Sequence, residues 1–391
     1  MKNIVVMSHA GVLSVNRALF QELARITDIQ ITLIVPKQWN GDLIQKLEFQ
    51  QTKEDHLLKI IAVPVKISGN GSLFFYSSEL ASELKKLSTS LTPDFLFLDE
   101  EPWSLAALQA YQLFKNTPKC FFTKQNLKKK IPLPFRLLEQ WVFKNTVFAF
   151  TISEEASSVL RSKKFTQPIH ILPHSYEPTQ FHPLSPNEKQ ELKLRLGIPY
   201  DNKNSQIISY FGRMTEEKGI LDLLKAFELI SHHSSMDHTH FLWVGSGPLY
   251  PFLKASLEKV APTRATLLPA IEHHEVGKAL ALSDVVIVPS RTRTNWKEQF
   301  GRILIEAMAC GAAVIGSDSG EIPHLINKTQ GGLVFPEGNA FALADKMIQL
   351  ATNPSELKKY QESGKTYVEK HYSHKHVATT IASYLRLSLT K

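Results

Sequence analysis

The segment richest in chemistry runs Glu298-Gln-Phe-Gly-Arg-Ile-Leu-Ile-Glu306 and follows an apolar run, Val285-Val-Ile-Val-Pro-Ser290. The pattern predicts a buried strand, a charged loop, and a helix from about Gly301 to Cys310. The first N–H groups of such a helix have no internal partners and receive anions or sugar hydroxyls, and Gly301 lets a ligand approach the backbone. Glu298 precedes that terminus and Glu306 lies about one and a half turns along the helix. Two carboxylates so placed suit the recognition of vicinal diols, one pair from a ribose and one from a sugar. The competing structural reading makes Glu298 part of a capping turn and Glu306 part of an exposed face. Against it, Glu306 is embedded among Ile303, Leu304, Ile305, Ala307 and Met308, and a charge in so apolar a helix needs a partner.

A second cluster is cationic. Arg213 and Lys218 close the ends of a loop between the apolar run ending Tyr210-Phe-Gly212 and a helical pattern from Ile220. Two cations there can neutralise a leaving diphosphate, holding the charge that builds on the departing oxygen. Gly245 and Gly247 end the next apolar run, but a glycine pair alone is a common turn maker.

These groups need elements to hold them. The chain of 391 residues, 43% hydrophobic and 21% charged, is long enough for two cores. In both halves short β-rich runs alternate with helical stretches, the pattern of parallel sheets covered by helices. The reading is therefore two doubly wound Rossmann-like domains, α/β in class, facing across a deep cleft. We place the first at residues 1–178, the second at 187–373, a linker in the proline-rich stretch Pro173 to Pro186, and a C-terminal helix at 374–391 packing back on the first domain. In sheets of this kind ligands bind beyond the carboxyl ends of the strands.

The totals also exclude. The first apolar run breaks at Ser8-His9, short of a signal peptide or membrane span, and two cysteines, Cys120 and Cys310, fit a reducing compartment. The expected location is cytoplasmic, extending to the inner face of a membrane. A net charge of +8 favours anionic partners. Its densest cluster, Lys124 to Lys144, interleaves basic with apolar residues and reads either as an interfacial patch for peripheral membrane contact or as a solvated face of a packed helix. No nucleic-acid reader module is recognisable, so nucleic acid is not an expected partner. His170 and His174 span a strand end and Pro173, so their rings share no helix face, and no cysteine or carboxylate pattern completes His371 with His374 and His376; both groups read as solvated side chains and not as a metal site.

Taken in order, Tyr210-Phe-Gly212-Arg213 with Glu217-Lys218-Gly219, Leu242-Trp-Val-Gly245-Ser-Gly247-Pro248, Ser283 to Ser290, Glu298 to Cys310, and Gly316-Ser-Asp-Ser-Gly320-Glu321-Ile-Pro323 resemble the retaining glycosyltransferases of family 4. The resemblance is collinear over roughly Ser205–Phe335 and its E-x7-E element is specific. It implies the GT-B fold and transfer of a sugar from a nucleotide-diphosphate sugar, UDP ahead of GDP, to a glycan, lipid-linked or small-molecule acceptor. It further implies Arg213, Lys218 and Glu298 at the reaction, with Gly212, Gly245, Gly247, Gln299, Phe300, Gly301, Arg302 and Glu306 around the donor. In the first domain the resemblance is looser. His9 and Gly11 stand where a glycine-rich loop is expected, with one glycine only. Gln125 and Asn126 follow the strand after which the family often carries a histidine, and either amide could orient a sugar hydroxyl. Glu100 and Glu101 close a further strand, as acceptor-side carboxylates or as a capping turn before a helix Ser104–Tyr111. No Asp-x-Asp occurs, so neither a metal nor another cofactor is expected. Two other classes stay open: a catalytically inactive scaffold or binding subunit, and a nucleotide-sugar epimerase or phosphorylase on the same fold.

Overall fold

The protein is described by a computed structural model over residues 2–41, 46–87, 93–198, 206–260 and 263–389. It divides into two compact units, Met1–His174 with His374–Lys391, and Ser175–Ser373.

The first unit carries β1 (Asn3–Met7), α1 (Ala18–Ile26), β2 (Gln30–Pro36), β3 (Gln38–Trp39), β4 (Leu47–Glu48), β5 (Lys59–Val63), β6 (Val65–Lys66), β7 (Phe75–Tyr76), α2 (Glu79–Leu87), β8 (Phe95–Leu98), α3 (Leu105–Leu113), β9 (Lys119–Thr123), α4 (Leu133–Lys144), β10 (Phe148–Thr151), α5 (Glu154–Ser162) and β11 (Ile169–Ile171). Among the described residues seven of these strands form one parallel sheet in the order β11-β10-β9-β8-β1-β2-β5. β1, β8, β9 and β10 are buried almost throughout, because a parallel sheet covered on both faces tolerates unbroken apolar runs. The strand order reverses between β1 and β8, so the segments beyond those two strands flank the position where such sheets bind ligands. Helices begin where local chemistry dictates: the Ser104 hydroxyl accepts from the Ala107 amide at 3.0 Å, which makes Ser104, not Glu100 or Glu101, the cap of α3.

The second unit carries α6 (Pro186–Arg195), β12 (Gln206–Phe211), α7 (Ile220–Ile230), β13 (Thr239–Val244), α8 (Tyr250–Val260), β14 (Ala265–Leu268), α9 (His273–Ala281), β15 (Val285–Val288), α10 (Arg302–Ala309), β16 (Ala313–Ser317), α11 (Ile322–Thr329), β17 (Gly332–Phe335), α12 (Ala340–Thr352) and α13 (Pro354–His371). Its parallel sheet runs β14-β13-β12-β15-β16-β17, reversing between β12 and β15. Phe227, Phe241 and Trp243 fill its core. The chain then returns to the first unit as α14 (His374–Leu389), which packs along α1.

Three features were not legible beforehand. α11, which begins inside the Gly316–Pro323 motif, and β17 after it have no counterpart in the sequence reading. The proline-rich stretch read as a linker belongs for most of its length to the second unit: Tyr176 and Phe181 are buried, and Tyr176 bridges Ser373 as an isolated β-pair. Arg17 and Asp55, both fully buried, form an ion pair at 2.9 Å. Arg17 also donates to the carbonyls of Gly11 at 2.9 Å and Gln50 at 2.7 Å, and Gln21 donates to Asp55 at 2.8 Å. The guanidinium's spread of donors lets one buried cation satisfy segments distant in sequence.

Candidate functional site

In the second unit the groups singled out from the sequence meet at the carboxyl ends of β12 and β15. The Lys218 ammonium lies 2.6 Å from a Glu298 carboxylate oxygen, and the Ser290 hydroxyl donates to the same oxygen at 3.0 Å. The Trp296 ring centroid sits 4.8 Å from that ammonium, adding a cation–π contact. Gly219 makes this proximity possible. It is left-handed, φ +68°, and a Cβ there would stand 1.7 Å from the Pro289 carbonyl. Only a residue without a side chain brings the loop after β12 so close to the loop after β15. Ser290 and Trp296 were not among the sequence candidates; for Ser290 the available signal was its place at the end of a buried strand at the sheet's reversal.

Arg213 is more open and lies 3.5 Å from Glu217. Its backbone is pinned, since the Tyr210 hydroxyl donates to the Arg213 carbonyl at 2.6 Å. The same loop is laced to the Gly245–Gly247 turn by Gly212 N to Val244 O at 3.0 Å and Met214 N to Ser246 O at 2.9 Å. A backbone held by these hydrogen bonds, with a partly exposed cation, suits a ligand phosphate whose position is fixed by other contacts.

Gly301 caps α10 in the left-handed region, φ +77°. Phe300 is buried, with its ring 6.0 Å from that of Tyr372, while Gln299 is exposed. Glu306 is 7% exposed on α10, and among the described residues no side chain hydrogen-bonds its carboxylate. Burial pushes its pKa up to about 7, the Arg302 charge pulling the other way. A buried carboxyl group with spare acceptor capacity has a use for a diol. Beside the cluster, Arg291 clamps Asp222 at 2.6 Å through a terminal nitrogen and holds the end of β15 to α7.

In the first unit the candidates gather beyond β1, β8 and β9. The His9 backbone amide donates to Glu100 at 2.5 Å, and the His9 Nδ1 is 2.6 Å from the other Glu100 oxygen. His9 packs on Trp39 at 4.6 Å between centroids. Burial alone would lower the His9 pKa, but the Glu100 carboxylate outweighs it and raises it. Ser8 donates to Asp99 at 2.7 Å, and Lys124 pairs with the other Asp99 oxygen at 3.0 Å. Glu101 accepts from the Thr123 hydroxyl at 2.6 Å and the Lys124 amide at 3.0 Å. Gln125 accepts from Lys163, which also reaches Glu139 at 2.6 Å. Asn126 donates to Glu155 at 3.3 Å. Gly11 belongs to a short 3-10 turn, not an open glycine-rich loop. Thus His9 and Glu100 form a pair, Glu101 braces the turn after β9, and Gln125 and Asn126 are held by separate partners. Asp99 and Lys124, which adjoin Glu100 and Gln125 in the sequence, join them, as do Ser8 and Lys163.

Of the histidines read as solvated, His376 is exposed, while three others are packed instead. His170 stacks on Tyr384 of α14 at 3.8 Å, His371 stacks on Tyr367 at 4.2 Å, and His374 is buried. Among the described residues no group of three metal-ligating side chains occurs, and no helix is long and apolar enough to cross a membrane.

Residues 198–367 match the family model described as glycosyl transferases group 1. The chain is 25% identical over 272 residues to alpha-maltose-1-phosphate synthase of Mycolicibacterium smegmatis, covering 64% of this chain and 67% of that protein. It is 26% identical over 204 residues to a GDP-mannose-dependent monoacylated alpha-(1-6)-phosphatidylinositol monomannoside mannosyltransferase of Corynebacterium glutamicum, covering 52% of each. The chain thus spans between half and two thirds of the length of these relatives. Among solved structures, Anabaena HepE in complex with UDP superposes with a TM-score of 0.75 at 14% identity, over 99% of this chain and 100% of that one. At that identity the likeness shows the fold, α/β with two Rossmann-like units of the GT-B type.

Proposed function

We propose that the chain is a glycosyltransferase of group 1, the family whose model matches residues 198–367, and that it moves a sugar from a nucleotide-diphosphate sugar, UDP ahead of GDP, with retention of anomeric configuration. The observation that carries this reading is the convergence at one sheet reversal of Lys218, Glu298 and Ser290 within 3.0 Å contacts, at the loop that leads into α10, which carries the buried Glu306. Arg213 and Lys218 take the diphosphate. Glu306 accepts the ribose hydroxyls, while Glu298 and the Phe300-Gly301 backbone hold the transferred sugar. Because Glu298 and Trp296 hold Lys218 in place before any ligand arrives, its charge needs little reorganisation as the leaving oxygen becomes anionic.

UDP is named ahead of GDP on the support of the HepE complex, although a relative's printed name gives GDP-mannose. Retention is inferred from the resemblance of the Glu298–Glu306 element to the retaining glycosyltransferases of family 4. With two cations at the leaving group, the transfer runs without a metal. The acceptor is a glycan, a lipid-linked sugar or a small molecule, and peripheral membrane contact through the Lys124–Lys144 segment belongs to the same reading.

The test is a thermal-shift panel of UDP, GDP, ADP, dTDP and CMP on the full chain, since a ligand bound only by the folded state raises the melting temperature. Arg213→Ala and Lys218→Ala are then measured with the stabilising nucleotide's sugar. Both are expected to lose turnover by roughly tenfold or more. Undiminished turnover in both would refute the assignment.

A further inference from the structure

The Lys124–Lys144 segment does not behave as one surface. Lys124 turns inward to Asp99, and Glu139 is buried and paired with Lys163 at 2.6 Å. What remains outside is a defined face of α4. Leu133 is 67% exposed, Leu137 63% and Trp141 38%. Their spacing of four residues puts them in one line along the helix. Lys144, three residues past Trp141, falls on the same face, Arg136 lies at its edge, and Lys128 to Lys130 precede the helix; all five cations are exposed. No acidic residue is exposed between Lys124 and Val147.

We propose that this face of α4 docks on the surface of a bilayer containing anionic lipid. The proposal deepens the membrane contact named above and rests on it. Large apolar side chains in line, exposed to water, are costly unless something covers them. A bilayer interface accepts leucine and tryptophan at headgroup depth, while lysine and arginine stems let their charges reach the phosphates. The sign discriminates: basic residues without acidic neighbours are attracted by an anionic leaflet. A protein partner of mixed surface charge gains nothing from that pattern.

The experiment is vesicle co-sedimentation of the full chain, with vesicles of phosphatidylethanolamine and phosphatidylglycerol against pure phosphatidylcholine. Two surface variants accompany it, Leu133→Ser/Leu137→Ser and Lys128→Glu/Lys129→Glu/Lys130→Glu, none of whose positions belongs to the donor site. The wild type is expected to sediment with the anionic vesicles and not the neutral ones, and each variant to lose at least about tenfold in binding. Nucleotide-induced stabilisation, measured on the same samples, is expected to be unchanged in both, which separates failure of the docking proposal from failure of the donor-site reading. Wild-type protein left in the supernatant, or variants that bind as well as wild type, would overturn the proposal. So would a wild-type dimer, without vesicle binding, that the double serine variant converts to monomer.

Discussion

Replacing Glu306 by glutamine should stabilise the protein and impair it at once. The carboxyl group is 7% exposed, and burial raises its pKa from 4.5 to about 7. Between those values the folded chain keeps a proton that the unfolded chain has released. The stability this group contributes is therefore present below pH 4.5 and lost as pH rises through 7. At 1.36 kcal/mol per unit the loss above pH 7 is roughly 3 kcal/mol, an upper bound for a group that can admit water. Glutamine carries no charge at any of these pH values. Glu306→Gln should therefore match wild type near pH 5 and exceed it near pH 8, by an amount that for a unit of this size is about 6–12 °C at most. The assay is calorimetric melting from pH 5 to 8.5, with and without the stabilising nucleotide. With ligand the order should reverse: an ionised carboxylate accepts both ribose hydroxyls, whereas an amide offers one acceptor oxygen. A melting difference independent of pH, or a variant less stable than wild type at pH 8, would refute the account of Glu306 as a carboxylate held buried for a ligand.

Asp55→Ala strands the fully buried Arg17 and should cost about 3–5 kcal/mol, read by urea unfolding; a loss under about 1 kcal/mol would mean water replaces the carboxylate. The hydrogen bonds from Thr52, Arg17 and Gln21 outweigh burial and lower the Asp55 pKa below 3.8, so this contribution should persist above 3.8 and fade as pH drops below it. Gly219→Ala meets both a positive φ and the Pro289 carbonyl; its expected signature is lower stability together with weaker nucleotide binding, and normal behaviour in both would show that the loop is free to move apart. Transfer activity should survive a chelator such as EDTA, and complete loss restored by a divalent ion would show that Arg213 and Lys218 do not suffice for the leaving group.

Much of the fold was legible because strand and helix patterns are local. Unbroken runs such as Val285–Val288 identify themselves as buried parallel strands. β17 escaped because Gly332-Leu-Val-Phe is short and begins with glycine, and its strand character comes from pairing with β16. The packed state of His170 escaped because its neighbour Tyr384 arrives from the far end of the chain.

The sequence by itself determined the α/β class of the fold and which residues are candidates for the site. The spacing of Glu298 and Glu306 about a helix start, with two cations closing a strand–helix loop, is a chemical statement written in consecutive residues. Only the tertiary structure decided how those groups act on one another. That Lys218 rests on Glu298 follows from Gly219 lying against Pro289, 70 positions away in sequence. That Glu306 holds its proton to about pH 7 follows from helices and strands excluding water around it. That Lys124 turns inward follows from Asp99 standing at the end of another strand. Charge, exposure and proton affinity depend on distance through space, and a sequence records only distance along the chain.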